Sequence, residues 1–101
     1  MKKKIYISGA ITSIGQIKAE KLFNKAEKML NEQGFDVVNP MKLKHEHDLT
    51  WVDYMRVDLK ALLDCDYIYM LSNWKNSKGA KIEHQLAVDL DMGIIFQNEN
   101  E

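Results

Sequence analysis

The chain has one cysteine, one proline and five glycines among 101 residues, and its 14 basic and 15 acidic side chains nearly cancel. Each scarcity excludes something. Cys65 has no partner within the chain, so no structural disulfide forms, which fits a reducing compartment; a cytoplasmic location is expected. A net charge of -1 with the signs intermixed gives no field to gather a nucleic-acid duplex or an anionic membrane surface. No apolar run is long enough to span a bilayer, and Ile5 to Ile7, after Lys2, Lys3 and Lys4, is too short for the apolar region of a signal peptide. No loop carries the Walker A pattern or G-x-G-x-x-G, so nucleotide triphosphate hydrolysis and dinucleotide redox chemistry lack their signatures.

What is present is a regular alternation of short apolar runs and amphipathic stretches. Ile5, Tyr6 and Ile7 read as a buried strand entering a loop of small polar residues from Ser8 to Gly15. From Gln16 to Gln33, Leu22, Phe23, Ala26, Met29 and Leu30 recur at helical spacing, and Gly34 provides the stop. Phe35 to Val38 is a second strand, closed by Asn39 and Pro40, because proline cannot continue a ladder. Thr50 is placed to cap a second helix, with Asp53 at its third position, running to about Leu63. Asp66 to Leu71 is a third strand, Gly79 to Leu90 a third helix, and Gly93 to Phe96 a last strand.

Strands that are apolar throughout, each followed by a helix, predict a single α/β domain over residues 1–101. Its three layers place a parallel sheet between helices on both faces. Right-handed crossovers favour the flavodoxin-like or Rossmann-like order 2-1-3-4. The switch point then falls between the first and third strands, where the loops Ser8 to Gly15 and Ser72 to Gly79 together line a crevice. A domain this small is expected to bury part of its apolar surface in a homo-oligomer, with Asn98 and Asn100 as candidates to reach a neighbouring subunit.

Two carboxylates fall where apolar residues are expected. Projected at about 100° per residue, the third helix puts Gly79, Ile82, Leu86, Ala87 and Leu90 on one face, and Glu83 lies within that face. On the second helix, Trp51, Val52, Met55, Leu59, Leu62 and Leu63 form the core stripe, Trp51 as an anchor, and Asp58 lies at its edge. A buried carboxylate is costly unless it is partnered or performs chemistry. Two carboxylates facing one crevice can cleave a glycosidic bond: one attacks the anomeric carbon or stabilises its cation, while the other protonates the leaving group.

The segments I-Y-I-S-G-A (5–10), V-V-N-P (37–40), W-V-D-Y-M-R-V-D-L-K-A-L-L-D-C-D (51–66) and S-K-G-A-K-I-E-H-Q-L-A (77–87) carry a resemblance across nearly the whole chain. They resemble the small proteins grouped as DUF4406, which are similar to nucleoside 2-deoxyribosyltransferases and to 2'-deoxynucleoside 5'-monophosphate N-glycosidases. The most specific part is S-x-G-A-x-x-E-x-x-x-A, spaced as in their nucleophile motif. The resemblance implies N-glycosidic cleavage or transfer on a 2'-deoxynucleoside or its 5'-monophosphate, with no cofactor. It gives Glu83 the nucleophile's role, Asp58 the general acid's and Tyr6 the orienting of Glu83. Ser77 takes a substrate-binding position that is serine in the monophosphate glycosidases and aspartate in the transferases. Ser8, Gly9, Thr12 and Gly79 join it in holding sugar or phosphate, and Trp74, in the crevice loop, is a candidate to stack on the base. Gln85 stands where the motif carries glycine, which sustains an alternative: a non-catalytic nucleotide-binding module of the same fold. His45, Glu46, His47 and Asp48 have the composition of a metal loop, but no second ligand cluster completes a shell and no metal is expected. The partner expected is thus a nucleoside or nucleotide small molecule.

Overall fold

The computed structural model describes residues 2–45 and 50–98. Glu46, His47 and Asp48, the acidic and histidine-bearing part of the metal-like loop, and Asn100 lie outside the described residues. Four strands, β1 (Lys4–Ser8), β2 (Asp36–Val38), β3 (Tyr67–Met70) and β4 (Gly93–Phe96), alternate with three helices, α1 (Gln16–Glu32), α2 (Trp51–Leu63) and α3 (Lys78–Asp89). All strand pairs are parallel and the order is β2-β1-β3-β4, as the alternation of strands and helices predicts. The fold is the three-layer, flavodoxin-like α/β architecture.

The period of two along each strand divides the core into two halves. Ile5 and Ile7 of β1, with Tyr69 and Leu71, pack against Ala19, Phe23, Ala26 and Leu30 of α1. Tyr6 of β1, with Ile68 and Met70 of β3, packs on the opposite face against Leu62 of α2 and Ala80 and Ala87 of α3. That alternation aims Tyr6 and Ser8 at the same two helices, and it is the reason two polar side chains from the central strand meet beneath α3.

Local signals fix the element ends. Thr50 accepts from the Asp53 backbone N–H while the Asp53 carboxylate accepts from the Thr50 backbone, a reciprocal cap that starts α2 where the sequence predicts. Gly34, at φ 94°, takes the left-handed turn after α1. Asn39 accepts from the Met41 backbone N–H and opens a 3₁₀ turn, Pro40–Lys42. Its buried amide also donates to Asn24 and Glu27 of α1, so the chain leaving β2 is pinned against that helix.

The helix faces differ in part from the sequence projection. In α2, Met55 and Leu62 are buried, whereas Trp51, Val52 and Leu63 are 44%, 49% and 55% exposed. The first turn of α2 flanks the cavity described below rather than the sheet, so Trp51 is a wall residue and not a core anchor. In α3 the buried stripe is Ala80, Glu83 and Ala87, with Ile82 and Leu90 exposed. Glu83 is therefore at the centre of the packed face. Among the described residues no helix is long and apolar enough to cross a membrane.

Candidate functional site

A cavity of about 860 Å³ opens at the carboxyl ends of β1 and β3, at the switch point of the sheet, where parallel α/β sheets take their ligands. Its walls come from the loop after β1, the segment after β2, the first half of α2 and the start of α3. The two loops at its base are tied together. The Leu71 N–H donates to the Ser8 carbonyl at 2.8 Å, and Asn73 Oδ1 accepts from the Ala10 N–H at 2.9 Å.

Glu83 lies on the cavity wall with only 5% of its surface exposed. The Tyr6 hydroxyl donates to its Oε2 at 2.6 Å and the Ser8 hydroxyl donates to its Oε1 at 2.7 Å. Burial pushes the Glu83 carboxyl up to about 7; the two hydroxyl donors oppose that rise and the nearby Asp58 charge adds to it. Tyr6 is raised well above its ordinary value, by burial first and then by the charge of Glu83, so it remains a protonated donor throughout the neutral range. Each Glu83 oxygen retains acceptor capacity beyond its one hydroxyl donor, so the carboxylate is held without being saturated.

Asp58 borders the same cavity and is half-buried. Its Oδ1 is 3.0 Å from His45 Nε2, and each of the two side chains is 15% exposed. Burial raises the Asp58 carboxyl and the His45 imidazole draws it back down. The His45 ring also lies on Tyr54, with centroids 4.7 Å apart. Two carboxyl groups with separate environments thus share one cavity, each held by its own donors. Such an arrangement can supply a nucleophile or cation stabiliser and a proton donor.

The family comparison covers almost the whole chain: a domain of unknown function, DUF4406, matches residues 3–96. The chain belongs to the DUF4406 family. Among curated proteins none matches it.

Of the residues singled out in this DUF4406 chain, Tyr6, Ser8, Gly9, Thr12, Asp58, Ser77, Gly79 and Glu83 all border the one cavity. The Ser8 hydroxyl donates to Glu83, so its hydrogen is engaged there while its oxygen keeps acceptor capacity. Ser77 Oγ accepts from the Ala80 N–H and caps α3, which leaves its O–H available to donate outward. Trp74 does not border the cavity. Its ring lies on His84, centroids 4.4 Å apart, and near Phe96, because the 3₁₀ turn Trp74–Asn76 directs it toward the outer flank of α3 and β4.

Three cavity residues carry no signal that spacing could reveal. His45 and Tyr54 come together only through the tertiary path of the segment after β2, and Lys78 stands with its ammonium 4.6 Å from the centroid of the Trp51 ring. Among the described residues no group of three or more histidine, cysteine or acidic side chains is arranged to hold a metal. Cys65 is buried away from the cavity, and burial pushes its thiol up to about 11, which disfavours the reactive thiolate.

Proposed function

We propose that this protein cleaves or transfers the N-glycosidic bond of a 2'-deoxynucleoside or its 5'-monophosphate. The observation that carries the reading is a buried glutamate on the packed face of α3, gripped by Tyr6 and Ser8, in the same cavity as a second carboxyl group on α2. Burial raises the cost of its charge, and the two hydroxyl donors from β1 hold the carboxylate on the cavity wall, as a group that reacts in its anionic form requires. Glu83 attacks C1' or stabilises its cation, and Asp58 gives its proton to the departing base. Tyr6 and Ser8 fix the carboxylate, while Ser77 and the loop from Ser8 to Thr12 hold the sugar or phosphate. A water or a second base then takes the glycosyl group from Glu83. The cavity volume, within the usual range for small-molecule sites, accommodates a nucleotide.

The rival reading, a nucleotide-binding module without turnover, draws on Gln85. That side chain faces solvent and donates to Asp89 at 2.9 Å, remote from the carboxylate pair, so it leaves the site geometry untouched. The exposed apolar residues of α2 and α3 support a homo-oligomer as part of the proposal. The test is base release from a panel of deoxynucleosides and their monophosphates, wild type against Glu83→Ala. Release by the wild type alone supports the enzyme. Ligand-induced melting shifts without release from any member of the panel support the module.

A further inference from the structure

His45 belongs to a cluster of titratable groups in the cavity that the glycosidic scheme leaves partly idle. The segment carrying it is delivered by the anchored 3₁₀ turn Pro40–Lys42, and the ring is held from two directions. Nε2 meets Asp58 Oδ1 at 3.0 Å and the ring contacts that of Tyr54 at a tilt of 41°. An imidazole held in this way selects one oxygen of the carboxyl group and leaves the other for the cavity.

We propose that His45 is the positioning residue of the general acid, its Nε2–H fixing Asp58 Oδ1 so that the proton to be transferred is carried on Oδ2. This rests on the N-glycosidic reading. As C1' bonds to Glu83, the C1'–N bond breaks and its electron pair goes to the base nitrogen, which takes the proton from Asp58 Oδ2. The new carboxylate is met by the Nε2–H already in place. When water or an acceptor base attacks C1', the bond to Glu83 breaks and the attacking group's proton returns to Asp58 Oδ2, so no proton is gained or lost by the pair over the cycle. Among the described residues the other titratable groups that line the cavity with this pair are Tyr54 on α2, Glu83 and Lys78 on α3, and Tyr6 on β1.

A leaving group that needs no proton separates this role from a structural one. The probes are a purine 2'-deoxynucleoside 5'-monophosphate and its N7-methylated form, whose base departs as a neutral molecule without protonation, measured with spontaneous release subtracted. For His45→Ala, release from the parent compound falls about ten- to a hundredfold, within the usual range for general acid catalysis, while release from the methylated compound changes less than about threefold. His45→Gln, whose amide N–H reaches the place of Nε2, recovers most of the loss. Removing the donor that lowers Asp58 also moves upward the limb of the parent's pH profile that reports Asp58. Equal losses on both probes, or no loss on either, overturn the proposal even with an active wild type. A wild type silent on both probes and on every member of the deoxynucleoside and monophosphate panel ends the glycosidic reading and this inference with it.

Discussion

Tyr6 Oη stands 2.6 Å from Glu83 Oε2, joining the middle of the central strand to the second turn of the last helix across 77 positions of sequence. The contact depends on the sheet. Parallel pairing of Tyr6 with Ile68 sets the height of the phenol, and the alternation along β1 sets its side. A change in the register of the central strands would therefore break the contact.

Tyr6→Phe tests what that hydroxyl does for the charge. The phenol is one of two donors that hold the Glu83 carboxyl down against the rise caused by burial, so its removal moves that carboxyl further above about 7. A nucleophile must be anionic, and the ionised fraction of Glu83 falls as pH drops through this value while the protonated fraction of Asp58 rises. The limb of the kcat/KM profile that reports Glu83 should lie near 7 in the wild type and higher in Tyr6→Phe. If neither limb moved in a folded variant, Tyr6 would be detached from the ionisation of Glu83.

Glu83→Gln tests the same group through stability. The folded carboxyl titrates near 7 against an ordinary value of 4.5, so below 4.5 folding is unopposed by its charge, and stability falls as pH rises through 7. A rise from 4.5 to about 7 corresponds to roughly 3 kcal/mol as an upper bound. Glutamine can accept from one hydroxyl and donate to the other without ionising. Urea unfolding should show the variant and the wild type close at pH 4 and the variant more stable at pH 8, while base release falls by at least about a thousandfold. A variant less stable at pH 8 would mean that the anion is favoured in the folded state.

The order of strands, the cap at Thr50 and the misfit of Glu83 are legible in the sequence because each rests on local spacing. The face of α2 is less so: Trp51 and Val52 fit the apolar stripe, yet the first helical turn lies beside a cavity, and periodicity does not say where the sheet beneath a helix ends. Trp74 has the composition of a stacking residue in a crevice loop, but a 3₁₀ turn, which spacing does not reveal, directs its ring to His84. His45 reads as a loop residue beside other polar residues. Its partner Asp58 lies 13 positions away, across a fold that no repeat connects.

Gly9→Ala probes how closely the ligand-facing loop is packed. A Cβ at position 9 would come within 2.6 Å of Leu71 Cδ1 and 2.8 Å of its Cβ, and the near atoms of that side chain cannot swing clear. Since Leu71 is buried beside α1, the substitution should cost about 1–3 kcal/mol in urea unfolding through overpacking. Leu71→Ala in the Gly9→Ala background opens space at this contact and should recover part of the difference relative to Leu71→Ala alone. Full tolerance of alanine would show that the loop shifts freely, and with it the base of the cavity.

Lys78 and Trp74 form a contrasting pair for ligand affinity. Lys78 is exposed, begins α3, borders the cavity and lies over the Trp51 ring, so its ammonium and the helix N-terminus both favour an anionic group at that side. Trp74 is packed on His84 outside the cavity. Calorimetric titration should show Lys78→Ala weakening a deoxynucleoside 5'-monophosphate by about tenfold, a charge-assisted contact of about 1–2 kcal/mol, while the unphosphorylated nucleoside changes little. Trp74→Phe should leave both affinities within about twofold, because phenylalanine preserves the ring contact with His84 and nothing at the cavity wall moves. If Lys78→Ala weakened nucleoside and nucleotide alike, its role would be to hold Trp51 against the ligand rather than to meet a phosphate. If Trp74→Phe weakened both, the turn at Trp74–Asn76 would have to open toward the cavity on binding, and the base would be read by an indole that the unliganded fold turns away.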